Sequence, residues 1–321
     1  MARIIGTGSC MPRNVVTNKS MESYVDTSDE WIVSRTGIKE RYISEKDENT
    51  GDLGYGAAVE ALRDAGIGPM DLDYIIVATT TPHSLVPNTS CYIQGKLGAM
   101  NAACFDINAA CTGFIYGLEI AQSLLNLKDK EYVLVIGTEV LSKITDFGDR
   151  STCVLFGDGA GAAVLRKGEG ILGIVTGADG TKGECLSTGD FAVSNILAGV
   201  NESKNLISMD GKEVYKFAVN ILPLALEKAL EKSDMKAEEL DHIIPHQANV
   251  RIIESAAKRL HLPLDKFYMN IERTGNTSAA SIAIALDEMN KKGLLKMGDK
   301  VSMVGFGGGL TYGAICMEWT M

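Results

Sequence analysis

The chain has 321 residues and a formal net charge of −10, from 31 Lys and Arg against 41 Asp and Glu. This acidic balance disfavours nucleic acid as a partner for the surface as a whole, and no nucleic-acid partner is expected. Hydrophobic residues make up 45% and charged residues 22%, which is typical of a soluble globular protein with two domains or one large α/β unit. No apolar run has the length of a membrane span, so no membrane partner is expected.

Seven cysteines are scattered along the chain, without a Cys-x-x-Cys pair or a cluster with metal-ligand spacing. The sequence therefore predicts neither a disulfide framework nor a metal site. Reduced thiols, and an N-terminus without the long apolar core of a signal peptide, favour a cytoplasmic protein.

The first predicted helix begins after Thr27 or Ser28 and ends at Gly37. Trp31 and Arg35 are four residues apart on this helix and therefore share one face. By themselves they are more typical of an indole–guanidinium pair on the surface than of a ligand site.

The other elements of the first half have ordinary lengths. They are predicted as strands at residues 4–10, 74–79 and 132–137 and helices at 53–65 and 91–97. The second and third strands are apolar, which suits the middle of a sheet covered on both faces.

Cys111 lies between a short apolar approach and a helical pattern in which Phe114, Leu118, Ala121 and Leu125 recur on one face. This spacing places the cysteine on a strand-to-helix turn at the start of a buried helix. The N–H groups of a first helical turn favour thiolate over thiol, and a thiolate can take an acyl group from a thioester. A single free cysteine is more often a small core residue, so its interpretation depends on its partners.

The second half of the chain repeats the first at a constant offset. LDYII at 72–76 recurs as LDHII at 240–244, and YVLVIG at 132–137 corresponds to KVSMVG at 300–305, in both cases 168 residues later. Two copies of one supersecondary plan predict a pseudo-twofold molecule with sites at the junction, where strand ends from both halves meet. No linker-like stretch separates the copies, which argues against two independent domains.

Further candidate residues follow predicted strands at matching places in the two repeats. His246 comes directly after the strand at 243–244, Asn276 lies in the repeat-mate of the Cys111 turn, and glycines at 305–309 would let backbone N–H groups approach a ligand. Singly, His246 could cap a helix and Asn276 is more typical of an N-cap. Together with Cys111 they predict one catalytic site.

The combined motifs resemble those of the thiolase-like condensing enzymes, and within them the β-ketoacyl-acyl-carrier-protein synthase III family. The resemblance spans the whole chain and rests on TSDEWIVSRTG at 27–37, NAACTGF at 108–114, PHQAN at 245–249, GNTSAAS at 275–281 and GFGGG at 305–309. It implies a thiolase-like α/β fold with a five-layered α-β-α-β-α core, built from an N-terminal half at 1–168 and a C-terminal half at 169–321. It also implies a homodimer.

The resemblance implies a decarboxylative Claisen condensation that initiates type II fatty-acid synthesis. Cys111 takes an acyl group from a short-chain acyl-CoA, and malonyl-acyl-carrier protein then loses carbon dioxide to give an enolate that attacks the acyl-enzyme. A neutral His246 and Asn276 donate hydrogen bonds to the enolate oxygen, and the N–H groups of Cys111 and Gly308 form the oxyanion hole. Coenzyme A enters as the thioester substrate, and no other cofactor is implied.

Binding residues are also implied by the resemblance. Those for coenzyme A are Thr27, Trp31, Arg35 and Arg150 at the nucleotide end, with Gly211 and Asn249 along the pantetheine tunnel. Arg251, Lys258 and Arg259 recur on one helix face that could dock an acidic acyl-carrier protein, and the resemblance adds Lys216. A basic face of this kind is by itself more often simply solvated.

The acyl pocket of this family receives a side chain from the partner subunit near the residue before Pro87. In this chain that residue is Val86, after Leu85, at a place where an aromatic residue is often found. The smaller side chain predicts room for branched or longer primers than acetyl.

Several alternatives stay open from the sequence. Chalcone-synthase-like enzymes share the Cys-His-Asn set and are the nearest rival. A papain-type hydrolase is opposed by the internal repeat, and a non-catalytic subunit of the condensing fold is opposed by the retained cysteine. A degradative thiolase would carry a second cysteine in the loop where Gly305 and Phe306 stand.

Overall fold

The computed structural model describes residues 1–200 and 205–321. Its strands are β1 (Ala2–Cys10), β2 (Asn14–Thr17), β3 (Glu40–Ile43), β4 (Tyr74–Ala78), β5 (Ala103–Ile107), β6 (Tyr132–Glu139), β7 (Gly159–Lys167), β8 (Ile171–Ala178), β9 (Leu186–Ser187), β10 (Ser208–Met209), β11 (His242–Pro245), β12 (Lys300–Gly307) and β13 (Thr311–Glu318). Its α-helices are α1 (Asn18–Met21), α2 (Asp29–Thr36), α3 (Thr50–Ala65), α4 (Thr89–Leu97), α5 (Gly113–Leu124), α6 (Arg150–Cys153), α7 (Gly211–Lys232), α8 (Val250–Arg259), α9 (Ile271–Thr274) and α10 (Ser281–Lys291).

Two large sheets divide the chain between them. The first has the order β1-β7-β6-β4-β5, and the second has the order β11-β12-β13-β8. In each sheet a parallel core, β5-β4-β6 or β11-β12, continues into antiparallel strands. The first sheet is drawn from residues 2–167 and the second from residues 171–318, so the chain passes from one to the other at residues 168–170.

Helices cover both faces of each sheet. α3 and α4 pack on the outer face of the first sheet, and α7 and α8 pack on the outer face of the second. α5 and α10 lie between the sheets, where their apolar faces join side chains from both into one core. The predicted five-layered α-β-α-β-α arrangement is confirmed, and it explains why β4 and β6 are apolar on both faces.

The local signals in the sequence give the bounds of α2 correctly but miss the start of α3. Ser28 accepts a hydrogen bond from the N–H of Trp31 and caps α2, which Gly37 ends in the left-handed conformation with φ 81°. α3 begins three residues before the predicted start, because Asn49 supplies a capping box upstream of the apolar pattern.

The internal repeat has the same geometry in both halves. A short 3₁₀ turn, Ala110–Thr112 or Ser278–Ala280, leads into α5 or α10. Ala110 and Ser278 both have positive φ, at 46° and 47°. Few residues other than glycine adopt this conformation, so its occurrence at both places supports a true structural duplication.

Each turn also packs against a strand of the opposite half. A Cβ on Gly307 would lie 2.6 Å from the backbone nitrogen of Cys111, and a Cβ on Gly137 would lie 2.3 Å from the carbonyl oxygen of Ala279. A side chain at either glycine would force the two halves apart, so these glycines set the close approach at the junction.

Candidate active site

Cys111, His246 and Asn276 line one cavity of about 100 Å³ at the junction of the two halves. Cys111 follows β5 and His246 follows β11, while Asn276 follows α9 and precedes the second 3₁₀ turn. Their exposed fractions are 7%, 2% and 8%. Three residues separated by up to 165 positions in the sequence therefore meet as buried side chains around one cavity.

Cys111 lies in the 3₁₀ turn immediately before α5, as the sequence predicts. Burial raises the pKa of its thiol to about 12, and the Glu139 carboxylate acts in the same direction. A hydrogen bond from the Ser278 side chain opposes the rise. The expectation that the helix start favours thiolate accounts for one effect only, because the sequence does not show how completely the site excludes water.

His246 is held on two sides. Its Nδ1 lies 2.7 Å from Oγ of Ser281, and its ring meets that of Phe306 edge to face, with 5.5 Å between centroids. Burial lowers the pKa of the imidazole to about 3. The ring is therefore neutral at physiological pH and can donate from one nitrogen.

Asn276 is anchored through its backbone and its side chain. Its N–H donates to the carbonyl of Leu155 at 2.8 Å, and its own carbonyl accepts from the N–H of Gly157 at 3.0 Å. The side-chain oxygen accepts from the N–H of Ser278 at 2.9 Å. Because the oxygen is engaged, the amide NH₂ group is the part of the side chain that can serve a ligand in the cavity.

Gly308, the predicted second member of the oxyanion hole, lies next to the end of β12 and lines an adjoining cavity of about 520 Å³ together with Cys111. Its neighbour Gly307 packs against the backbone of Cys111. The assignment of the oxyanion hole to Cys111 and Gly308 stays a prediction.

The predicted coenzyme A residues form two groups. Gly211 and Asn249 line the same 100 Å³ cavity as Cys111. At the surface, the guanidinium groups of Arg35 and Arg150 lie 5.3 Å and 4.8 Å from the centroid of the Trp31 indole.

One hydrogen bond joins these two groups, and one buried hydroxyl bears on what the surface group could bind. The side-chain amide of Asn249 donates to the carbonyl of Arg35, which ties the cavity to the end of α2. The hydroxyl oxygen of Thr27 is buried and has no hydrogen-bond partner among the described residues. An unpaired buried hydroxyl beside the Trp31 helix is a position where a ligand could supply the partner.

The predicted basic face lies on α8 and α7. Arg251, Lys258 and Arg259 are all exposed on α8. Arg251 donates to the carbonyl of Ser34 beside Trp31, and Arg259 donates to the side chain of Asn220 on α7. Lys216 is also exposed, on α7, and its Nζ lies 3.9 Å from Oε1 of Glu213.

Leu85 and Val86 do not line either cavity in the single chain. They are 78% and 89% exposed, before a cis peptide bond between Val86 and Pro87. The 520 Å³ cavity is instead walled by apolar residues that the sequence did not single out, namely Leu141, Ile144, Phe156, Leu186 and Ile207.

Ser281 and Phe306 were also missed as functional residues, although both stand inside motifs that were recognised. Their apolar or small neighbours give no local sign that they contact His246.

Within residues 1–200 and 205–321, no group of three or more His, Cys, Asp or Glu is placed to hold a metal ion, and no helix is long and apolar enough to cross a membrane.

A buried cysteine beside a neutral imidazole and an amide donor, at the junction of two duplicated α/β halves, defines a condensing enzyme of the thiolase-like fold. Two family models match the chain: 3-oxoacyl-[acyl-carrier-protein] synthase III at residues 105–180 and its C-terminal part at residues 230–319. The chain belongs to the β-ketoacyl-[acyl-carrier-protein] synthase III family. Like its relatives it is an acyltransferase, and it catalyses the condensation that initiates fatty-acid synthesis.

Individual relatives support this assignment over the full length. The β-ketoacyl-[acyl-carrier-protein] synthase III of Clostridium acetobutylicum is 53% identical over 323 residues, covering 99% of this chain and 98% of the relative. The crystal structure of the Aquifex aeolicus enzyme superposes with a TM-score of 0.92 at 46% identity, covering 99% of this chain and all of that one. The Thermus thermophilus enzyme has the same TM-score at 43% identity, with 99% of both chains covered.

Proposed function

We propose that Cys111 is the nucleophile and that His246 and Asn276 stabilise the enolate formed from malonyl-acyl-carrier protein. The observation that carries this proposal is the single buried cavity shared by the three side chains. No other thiol lines that cavity, within residues 1–200 and 205–321, so a second cysteine of the thiolase kind has no place there.

In the first step the sulfur of Cys111 attacks the thioester carbonyl of the acyl-CoA. Because burial keeps the thiol protonated, its proton leaves as the new S–C bond forms and ends on the departing sulfur of coenzyme A. The backbone N–H groups of Cys111 and Gly308 would hold the negative oxygen of the tetrahedral intermediate.

In the second step malonyl-acyl-carrier protein loses carbon dioxide, and negative charge develops on its thioester oxygen. A neutral imidazole and the NH₂ group of Asn276 suit this oxygen, because both donate hydrogen bonds without giving up a proton. The carbanion then attacks the acyl group on Cys111, the cysteine sulfur leaves as a thiolate that takes up a proton from solvent, and 3-oxoacyl-acyl-carrier protein is released.

Residues at the surface are suited to bind the two substrates. We propose that Trp31, Arg35, Arg150 and Thr27 hold the nucleotide end of coenzyme A, and that Gly211 and Asn249 line the path of the pantetheine arm. Arg251, Lys258, Arg259 and Lys216 would dock the acidic carrier protein at the same entrance. The connection between Asn249 and Arg35 supports one continuous route from surface to nucleophile.

The acyl pocket favours a primer larger than acetyl. The 520 Å³ cavity beside Cys111 has an apolar wall, and the side chain expected from a partner subunit is Val86 rather than an aromatic residue. Comparison of initial rates with acetyl-CoA and isobutyryl-CoA tests this point. A clear advantage of acetyl-CoA would contradict it.

We also propose a cytoplasmic homodimer. Among the described residues, β5 is the last strand of the first sheet and pairs only with β4, and its Phe105 and Ile107 are half-buried in the single chain. A second copy pairing along this edge would cover them and bring Val86 towards a neighbouring site. All seven cysteines are free, which suits a reducing compartment. Light scattering after size exclusion, with a mass of one chain, would contradict the dimer.

The nucleophile is tested by intact-protein mass spectrometry after mixing with acetyl-CoA and, separately, isobutyryl-CoA. Wild type should gain one acyl group, and Cys111→Ala should gain none. The larger adduct yield identifies the preferred primer. Absence of an adduct with either thioester would contradict an acyl-cysteine intermediate.

A further inference from the structure

Ser281 is the first residue of α10, and its side chain faces His246. Its Oγ lies 2.7 Å from Nδ1 of the imidazole, and both residues are 2% exposed. Within residues 1–200 and 205–321 the Ser281 hydroxyl makes no other hydrogen bond. Nδ1 is therefore the one acceptor that the described structure offers to the hydroxyl proton.

The equivalent place in the first half holds no polar pair. By the 168-residue repeat, Ser281 corresponds to Gly113 and His246 to Ala78. A Cβ on Gly113 would lie 2.9 Å from the Cβ of Ala78, so the same helix start meets the same strand end in both halves. Because glycine and alanine satisfy the packing there, the serine and histidine of the second half are not required by the fold.

Burial decides which atom of the pair carries the proton. If Nδ1 donated to Ser281, the serine hydroxyl proton would be left in the interior without an acceptor, which is unfavourable. If Ser281 donates to Nδ1, both groups are satisfied and the ring proton resides on Nε2.

We propose that Ser281 is a positioning residue that holds His246 as the tautomer protonated on Nε2. The proposal rests on the enolate-stabilising role of His246 proposed above. In this tautomer the Nε2–H group is a ready donor to the thioester oxygen of the malonyl substrate. The edge-to-face contact with Phe306 fixes the plane of the imidazole ring, and the hydrogen bond from Ser281 keeps the ring proton on Nε2.

Because of this tautomer, the two half-reactions should depend differently on Ser281. A protonated Nε2 has no lone pair with which to accept the proton of Cys111. Acylation of Cys111 should therefore not depend on Ser281, whereas decarboxylation and condensation should.

The tautomer is measured directly by nitrogen-15 NMR of the full-length protein labelled in histidine. The chain has four histidines, and a His246→Gln variant identifies the signal of His246. We expect a directly bonded proton on Nε2 and none on Nδ1 at pH 7. A proton on Nδ1 in the wild-type protein would overturn the proposal, whatever the activity of any variant.

Variants at Ser281 test the effect of the tautomer on the reaction rates. Ser281→Ala should lower malonyl-acyl-carrier-protein decarboxylation and condensation by about 10- to 100-fold and give mixed tautomers at His246. Acylation of Cys111 should change by less than about threefold. Ser281→Thr keeps the hydroxyl and should restore both the rate and the single tautomer.

Two results would overturn the kinetic part: a Ser281→Ala enzyme that condenses at the wild-type rate, or one that loses acylation and condensation equally. Either would leave Ser281 with a structural role only. A wild-type enzyme that is acylated but never condenses would instead contradict the proposed function of the site, and the NMR result would still stand by itself.

Discussion

The side-chain oxygen of Asn276 accepts a hydrogen bond from the N–H of Ser278 at 2.9 Å, and Asn108 makes the same bond to Ala110 in the other half at 3.1 Å. The two asparagines share one local geometry but differ in their surroundings. Asn276 is buried in the cavity with His246, whereas Asn108 is exposed. The second copy of the turn therefore places its asparagine in the cavity that His246 also lines.

Asn276→Asp should distinguish a structural role of Asn276 in the turn from a role in stabilising the enolate. The aspartate keeps the acceptor for the Ser278 N–H but replaces the NH₂ donor with negative charge beside the developing enolate. Condensation should fall by about 100-fold or more, while acylation of Cys111 is retained. Asn108→Asp makes the same change in the mate turn and is the matched control; because Asn108 lines the 520 Å³ cavity beside Cys111, condensation is measured relative to acylation in both variants. Equal losses in both variants would mean that the change acts through the turn and not through the enolate.

The reactivity of Cys111 should reflect its burial. Because burial raises the pKa of the thiol to about 12, alkylation of Cys111 by iodoacetamide should rise about tenfold per pH unit from pH 7 to 10. The measurement follows the Cys111 peptide by mass spectrometry, with Cys111→Ser as the blank. A plateau near pH 7 would show that the helix start outweighs burial.

Trp31→Ala should weaken binding of the acyl-CoA without changing its chemistry. The loss of a stacking surface between Arg35 and Arg150 should raise KM for acyl-CoA roughly 3- to 30-fold with little change in kcat. An acyl thioester of N-acetylcysteamine lacks the nucleotide and provides the control. If its KM rises by the same factor, Trp31 does not act at the nucleotide.

Lys258→Glu should weaken binding of the carrier-protein substrate only. Reversal of one exposed charge on α8 should raise KM for malonyl-acyl-carrier protein roughly 3- to 10-fold at low salt, and less at high salt. Lys128→Glu is the matched control, since Lys128 lines a separate charged surface cleft away from Cys111. Equal effects of the two reversals would assign the change to overall charge.

His246 should make the protein less stable in acid. Burial lowers its pKa to about 3 from the ordinary 6.5. Between these values the unfolded chain binds a proton that the folded chain does not, so stability falls as the pH drops below 6.5 and is unaffected above it. The slope from this group is at most about 1.4 kcal/mol per pH unit.

His246→Gln should therefore reduce the loss of unfolding free energy between pH 7 and pH 5 in urea titrations. His261→Asn removes a histidine from an exposed position and serves as the control. If both variants keep the full wild-type acid dependence, His246 titrates normally and is not sealed from water.

Much of the fold, and the candidate catalytic residues, could be predicted from the sequence because the signals are local or repeated. The cap at Ser28, the stop at Gly37 and the helix after Cys111 each depend on a few neighbouring residues. The 168-residue repeat then indicated that the turns of Cys111 and Asn276 are equivalent. The strand expected before Asn276 is instead the helix α9.

Other properties were decided only by tertiary structure, because they depend on contacts between the two halves. Nothing near Cys111 in the sequence predicts that its thiol pKa rises, since the water is excluded by residues such as Phe156 and Gly307 from other elements. The pairing of Ser281 with His246 likewise joins residues 35 positions apart. Local sequence determined the turn that carries the nucleophile, and the packing of one half on the other decided its protonation and its partners.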